Sequence, residues 1–460
     1  MNTKTQKRQF VVIGGVAAGM SAASAIKRSD PSIEVVVLEK GEFVAYNACS
    51  LPYYISNVMP DHRQLLDLTY EQARQEYQIE VLTRHEAMAI VPAKNVVIVL
   101  DRETGEEKTF AYDGLMIATG GVPIALPVPG INLPNIFQLR TLANGLEVKQ
   151  YITEHIPEKA TIIGGGYIGL EMAEACRTLG MDVTILEKFG SLLGTMGNDV
   201  TQLVEDHLRE QRVRIMKSVA VNAFEEVEGK CAYVLVDGEK QRIETDIVII
   251  AIGVRPEVAL ARGAGIEIGD TGAIAVNAQA QTSIDNIYAG GDCTEVTHLV
   301  SGEKVYVASG TVARKLGRTA GKNFVVPGSY TFKGVVGTMA TKVFELEIAR
   351  TGLTLMEAKR LGFDAITSTI TADSRVRTYP GNQQIMVSFI MDRKSKRLLG
   401  AEMTGKEGVV KRIDVLAAAL HHQMTVQAIS QLDLSYAPPF SAPWDPILIA
   451  ANASIKRLSQ

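Results

Sequence analysis

Short apolar runs rich in Val and Ile, each broken abruptly by glycines, punctuate the N-terminal part of the chain. Phe10–Ile13 reads as a strand, Gly14-Gly15-Val16-Ala17-Ala18-Gly19 as a turn, Met20–Arg28 as a helix, and Ile33–Leu38 as a second strand ending in Glu39. Continuous apolar runs bounded by turn signals suit the strands of a parallel sheet buried on both faces. The same order returns at Ala160–Ile163, Gly164-Gly165-Gly166-Tyr167-Ile168-Gly169, a helix through Arg177, and Val183–Leu186 ending in Glu187. A second echo supports the repeat: Asp113, Ala118, Gly120 and Pro123 fall at the same offsets as Asp246, Ala251, Gly253 and Pro256 around a buried-strand run. From about Pro327 the texture changes. Alternating β-runs at Gly334–Phe344 and Ile385–Ile390 interleave with helices at Met356–Leu361 and Val409–His422, the latter carrying an apolar stripe of Val409, Ile413, Leu416 and Leu420. The charged run Asp392–Arg397 between two β-runs reads as a solvated hairpin turn.

These patterns predict an α/β fold with two Rossmann-like dinucleotide-binding domains, one inserted in the other, and a C-terminal α+β domain for dimerisation. The late signal Thr282–Asp292 is explained if the first domain resumes after the second. The expected divisions are 1–120 and 252–326 for the first domain, 121–251 for the inserted one, and 327–460 for the C-terminal one.

Composition changes little. At 460 residues the chain exceeds one core. The net charge of −4, with mixed signs, points to neither nucleic acid nor an anionic membrane, and no apolar run is long enough to span a bilayer. Lys4, Lys7 and Arg8 ahead of Phe10–Ile13 imitate a signal peptide's start, but the run breaks at once into Gly14-Gly15, so no cleaved leader is expected. Cys49, Cys176, Cys231 and Cys293 have no metal or disulfide-framework spacing, which suits a reducing cytoplasm and no bound metal.

In the second loop Gly164, Gly166 and Gly169 occupy all three fingerprint positions: a tight turn, close approach of backbone to a pyrophosphate, and helix-on-strand packing. Glu187 stands where a carboxylate accepts from ribose hydroxyls and repels a 2′-phosphate, favouring NADH; the adjacent Lys188 keeps NADPH open. The first loop has Val16 at the middle position. Glu39 with Lys40, Asn47, the Ala118-Thr119-Gly120 turn, and Gly291-Asp292 complete the site instead, with Gly253 in the matching turn of the second. Asp292 reads either as a ligand of a polyol hydroxyl or as a helix N-cap.

Cys49 lies in Tyr46-Asn47-Ala48-Cys49-Ser50-Leu51-Pro52, a pattern that starts a helix at the cysteine and so favours its thiolate. Pro52 and Tyr54 hold the places where a local CxxC or CxxxxC partner would stand. Its oxidised form is then a sulfenate, a persulfide or a mixed disulfide with a small thiol. The other three cysteines read as inert small hydrophobes, and so would Cys49 by its own residues; only the resemblance given next sets it apart.

Gly14–Gly19, Cys49-x-Leu51-Pro52-Tyr53, Gly164–Glu171, Lys411–Val415 and Tyr436–Phe440 together resemble the single-cysteine branch of the pyridine nucleotide-disulfide oxidoreductases. That branch includes coenzyme A-disulfide reductases, NADH-dependent persulfide and polysulfide reductases, NADH oxidases and NADH peroxidases. The resemblance implies FAD in the first fold and NADH in the second, with Tyr167 as a movable gate, Ile168 in the loop, and Glu171 near the nicotinamide. It implies a homodimer in which Tyr436 and Tyr379 of the partner subunit protonate the departing thiolate. Oxidases and peroxidases of the branch carry His where Ala17 stands, which moves the expectation toward disulfide or persulfide chemistry. Lys27, Arg28, Arg314 and Lys315 are placed to meet coenzyme A phosphates, or are solvated helix faces. Many relatives read Ser-Phe-Ala-Asn-Cys where this chain has Ala45-Tyr46-Asn47-Ala48-Cys49, and Trp444 stands where some have Lys. Either coenzyme A sits differently or another sulfur species is the substrate. No rhodanese-like extension is expected after residue 460. His421 and His422 are expected mid-helix, as surface residues. An NADH oxidase and a non-enzymatic redox-sensing flavoprotein stay open beside the reductase.

Overall fold

The computed structural model describes residues 7–460, so Lys4 of the basic N-terminus lies outside the described residues. The first sheet is parallel, in the order 287–289, 114–117, 9–13, 34–38, 80–82. Its central strand Gln9–Ile13 is flanked by Glu34–Leu38 and Gly114–Ile117, and all three are apolar runs buried on both faces. The second sheet, also parallel, runs 214–217, 182–187, 159–163, 247–250, 136–138. All of it lies between Ile117 and Ile287 in the sequence. One nucleotide fold is therefore inserted in the other.

The sequence echo has a structural meaning. Its two tails, Gly121–Pro123 and Val254–Pro256, pair with each other as an antiparallel ribbon where the chain passes between the two sheets. Thr119 Oγ1 donates to the carbonyl of Glu257 at 2.7 Å, and Glu257 N donates to Gly120 O at 2.9 Å, fastening both crossings together.

The C-terminal domain is a five-stranded antiparallel sheet in the order 339–343, 346–352, 398–405, 384–392, 365–373. Helices Val409–His421 and Pro446–Leu458 pack on it. Val409, Ile413, Leu416 and Leu420 are all buried in that core. Each contributes roughly 1.5–3 kcal/mol, which outweighs the few tenths per residue that β-branched side chains cost a helix. Asp392 holds the charged hairpin by accepting from Ser395 N at 2.9 Å.

Three local readings are corrected. The run Gly334–Phe344 forms a strand only from Met339, because Gly334 (φ +133°) and Gly337 (φ +68°) hold left-handed turns and a side chain on Gly334 would strike the Thr297 carbonyl. The first helix starts at Ala17 rather than Met20, with Val16 as its N-cap. His421 and His422 end their helix rather than lying within it; both are exposed, as expected.

Candidate active site

The two glycine turns superpose in function residue by residue. Gly14 (φ +103°) and Gly164 (φ +106°) adopt a conformation L side chains avoid, and a Cβ there would lie 2.2 Å from Ala118 O and 2.5 Å from Ala251 O. Gly19 and Gly169 let each helix close onto its strand: a Cβ would sit 1.9 and 2.0 Å from the carbonyls of Gly14 and Gly164. Gly166 has nothing within 4 Å on its open side. The helices that follow, Ala17–Ser29 and Tyr167–Thr178, have no side-chain cap and no acid in the first turn. Their orphan N–H donors are therefore free for an anion, the arrangement a pyrophosphate requires.

Both acids do more than expected. Glu39 accepts from Gly15 N and Gly41 N, each at 2.8 Å. Glu187 accepts from Gly165 N at 2.7 Å and Phe189 N at 2.8 Å. Each carboxylate braces its own glycine turn, and its spare lone pairs remain for ribose hydroxyls. Lys40 and Asn47 are exposed beside the first site, Ile168 is exposed beside the second, and Gly253 (φ +110°) turns under Ile124. Ala17 is half-buried in the first turn of its helix, while Ala18 is buried, its Cβ close against Gly291.

Asp292 is not a helix N-cap through its own following residues, since a strand comes next. It accepts from Ser309 N at 3.1 Å and pairs with Arg140 at 2.8 Å. Arg140, absent from the sequence reading, also donates to Gly121 O at 3.1 Å and lies against Gly120. Its only local signal was its place beside the Thr141 capping box.

Cys49 sits in a 3-10 turn, Ala48–Ser50, that leads into the short helix Leu51–Ile55. It is the one exposed cysteine; Cys176, Cys231 and Cys293 are buried. Burial pushes the Cys176 thiol up to about 12 and the Cys231 thiol up to about 11. The expectation of a favoured thiolate at Cys49 is overturned for the free protein. Although its surface reaches solvent, the protein crowding around it pushes the thiol up, and Glu171 and Asp292 add to this against an opposing pull from Arg140. A five-residue helix has too small a dipole to offset two carboxylates. Glu171 is itself raised by burial, partly offset by a 2.9 Å hydrogen bond from Thr341 Oγ1. Behind Cys49, Lys149 donates to the carbonyls of Tyr54 and Ile55 at 3.0 and 2.9 Å, capping the short helix.

The charges that reach the thiol are Glu171, Asp292 and Arg140, and none of the remaining candidates is among them. Tyr379 and Tyr436 stand on the C-terminal domain, 37% and 52% exposed, with Phe440 at 78% and Trp444 at 60%. Lys27 turns its ammonium onto the carbonyls of Pro31 and Ile33 at 2.8 and 2.9 Å, so it secures a loop. Arg28 and Lys315 are exposed, and Arg314 pairs with Asp67.

Comparison with known proteins settles the class. The pyridine nucleotide-disulphide oxidoreductase model matches residues 8–317, and the dimerisation-domain model of the same family matches 338–446. The chain belongs to this family. It is an NAD(P)H-dependent flavoprotein oxidoreductase whose cofactors are FAD and NAD(P)H. It is 36% identical to the NAD(P)H sulfur oxidoreductase (CoA-dependent) of Pyrococcus furiosus, over 97% of this chain and 99% of that one. Among solved structures, the reduced CoADR-RHD of Bacillus anthracis matches with a TM-score of 0.96 at 33% identity, covering 99% of this chain and 81% of that one. The NAD-dependent persulfide reductase of A. fulgidus matches with a TM-score of 0.95 at 35% identity, covering 98% and 84%. Among the described residues, no helix is long and apolar enough to cross a membrane.

Proposed function

We propose that this protein is an NADH-dependent, FAD-containing reductase of coenzyme A disulfide, persulfide or polysulfide acting through Cys49. The observation that carries the reading is an exposed cysteine without a partner cysteine, set among Glu171 beside the second nucleotide loop and Asp292 and Arg140 of the first. On this reading 1–120 with 252–326 binds FAD, 121–251 binds the nicotinamide nucleotide, and 327–460 forms a homodimer.

FAD is held by Gly14, Gly15, Ala17, Ala18, Gly19, Glu39, Lys40, Asn47, Ala118, Thr119, Gly120, Gly291 and Asp292, and when bound it supplies the two-electron relay between nicotinamide and sulfur. Gly164, Gly166, Tyr167, Ile168, Gly169, Glu171, Glu187 and Gly253 receive the nicotinamide nucleotide, with Glu187 favouring NADH. The Cys49 thiolate attacks one sulfur of the acceptor. The S–S bond breaks, a mixed disulfide forms on Cys49, and the departing thiolate takes a proton from Tyr436 or Tyr379 of the partner subunit. Two electrons from NADH then return Cys49 to the thiolate and release the second thiol, so that one acceptor disulfide and one proton are consumed per NADH. The Ala17 side chain offers no hydrogen bond to a sulfenate, which favours sulfur over peroxide as acceptor. Arg28, Arg314 and Lys315 remain the cations available to substrate phosphates, while Lys27 serves its loop.

Anaerobic NADH consumption with coenzyme A disulfide, coenzyme A persulfide, polysulfide, cystine and glutathione disulfide tests this. Wild type is expected to turn over at least one, and Cys49→Ser to lose at least about a hundredfold on it while still passing electrons from NADH to flavin. Equal rates for mutant and wild type on every sulfur acceptor, with oxygen consumption intact in both, point to an oxidase instead.

A further inference from the structure

Two strands of the C-terminal sheet carry a charge into its buried region. Arg350, in Leu346–Gly352, and Glu402, in Leu398–Gly405, are register partners, 8% and 5% exposed. A buried charge is costly unless it is bonded, so its partners reveal what it is for. Arg350 Nη1 donates to the Thr195 carbonyl at 2.6 Å, and Nη2 donates to Gly352 O at 3.0 Å and reaches Glu357 at 3.4 Å. Glu402 Oε2 accepts from Gly197 N at 2.8 Å. One charge takes a carbonyl and the other an amide of the same short segment.

That segment belongs to the inserted nucleotide fold, in the loop between strand Asp182–Glu187 and helix Asn198–Glu210. The loop's other end rests on the second glycine turn. Leu193 N donates to Gly165 O at 2.9 Å, and Leu192 fills the space above Gly165, where a Cβ would come within 2.3 Å of its Cδ2. Tyr167, first residue of the helix after that turn, has a buried hydroxyl with no hydrogen-bond partner; Thr195 lies beside it without meeting hydrogen-bond geometry, and Arg350 and Glu402 are near. A continuous set of contacts thus runs from the C-terminal sheet, through 195–197 and 192–193, to the turn that faces the nucleotide.

We propose that Arg350 and Glu402 are positioning residues for the nicotinamide-nucleotide site, gripping the 195–197 segment so that the Gly165 turn and Tyr167 keep the arrangement that receives the nucleotide. The C-terminal domain thereby sets nucleotide affinity as well as carrying the dimer contact. This rests on the reading that the second glycine turn binds NADH. It is independent of which sulfur acceptor reaches Cys49.

The test is direct titration of the flavin-loaded enzyme with NAD+, which cannot reduce the flavin, alongside the apparent Kd for NADH and the limiting rate of anaerobic flavin reduction in stopped flow, neither of which involves an acceptor. In Glu402→Ala the Kd for NAD+ and the apparent Kd for NADH rise about tenfold, the scale of one lost charge-assisted hydrogen bond, while the limiting rate of flavin reduction stays within about twofold and flavin content is unchanged. Arg350→Met behaves alike. Glu402→Gln, which keeps an acceptor oxygen for Gly197 N–H, recovers most of the affinity. An unchanged Kd in Glu402→Ala and Arg350→Met with only a lower Tm overturns the proposal, as the pair would then merely join two domains. Glu402→Gln as weak as Glu402→Ala also overturns it. Should Glu402→Ala not fold, Arg350→Met, which releases the Thr195 carbonyl of the same segment, carries the test alone, and an unchanged Kd there is equally fatal. Failure of every sulfur acceptor in the Cys49 experiment would leave these binding results standing, so the two readings fail separately.

Discussion

At the scale of single residues, the thiol of Cys49 is governed by opposing charges. Crowding, Glu171 and Asp292 hold it above the ordinary thiol range, and Arg140 pulls it back. A raised value means that less thiolate is present at neutral pH, so reactivity grows as pH climbs past the ordinary range instead of levelling off below it. Alkylation of reduced protein by iodoacetamide should therefore keep accelerating with pH beyond the midpoint of a free thiol. Glu171→Gln removes one of the two carboxylates and should raise the alkylation rate at pH 7 about two- to fivefold. Arg140→Met should move it the other way. Rates that ignore both substitutions would show that these charges do not reach the sulfur. The sequence marked Cys49 through the family motif around it, Cys49-x-Leu51-Pro52-Tyr53, but it suggested the wrong direction for its acidity, because the deciding carboxylates come from distant parts of the chain.

At the scale of elements, two copies of strand, glycine turn, helix and acid do matched work, and their first glycines are the points of least tolerance. At Gly14 and Gly164 a methyl group meets a backbone carbonyl and a left-handed φ together, so relaxation of a side chain cannot relieve it. The two substitutions should separate the cofactors. Gly14→Ala is expected to purify with at least about tenfold less flavin per protein, read from visible absorbance, since the turn that packs on Ala118 must open. Gly164→Ala should keep its flavin and raise the KM for NADH by about tenfold or more. If either variant loses the other cofactor instead, the assignment of the two folds is reversed. This level was the most legible in the sequence, because strand runs, glycines and acids lie within a short stretch of chain and obey local rules. The Gly334–Phe344 run misled for the same reason: its alternation is genuine, but two left-handed glycines at its beginning delay the strand until Met339.

For the whole molecule, the exposed aromatics Tyr436, Phe440 and Trp444 lie in the C-terminal domain, whose family model is a dimerisation domain. Large exposed apolar side chains so concentrated mark a surface meant for a partner. A charge there should oppose association: Phe440→Asp with Trp444→Asp is expected to shift the mass measured by light scattering from dimer toward monomer. If Tyr436 of the partner subunit serves the thiol as proposed, turnover of the sulfur acceptor should fall at least about tenfold with it, while flavin reduction by NADH persists. Full turnover in a monomeric variant would remove the partner from the mechanism.

The sequence by itself determined the two nucleotide folds, the order in which one interrupts the other, the amphipathic helix of the C-terminal domain, and the solitary cysteine. Each is written in neighbouring residues, through periodicity, glycine spacing or the absence of a second cysteine nearby. Tertiary structure alone decided the rest. It set Arg140 on Asp292, 152 residues away, and Glu402 on Gly197, 205 residues away. It turned Lys27 from a substrate cation into a loop fastener, and made Glu39 and Glu187 braces of the turns they follow. These contacts join charges to backbone groups across domains, and no local pattern encodes which buried charge will meet which loop. Packing chose those partners, because a charge enclosed by apolar strands has to find its hydrogen bonds wherever the fold brings a donor or an acceptor.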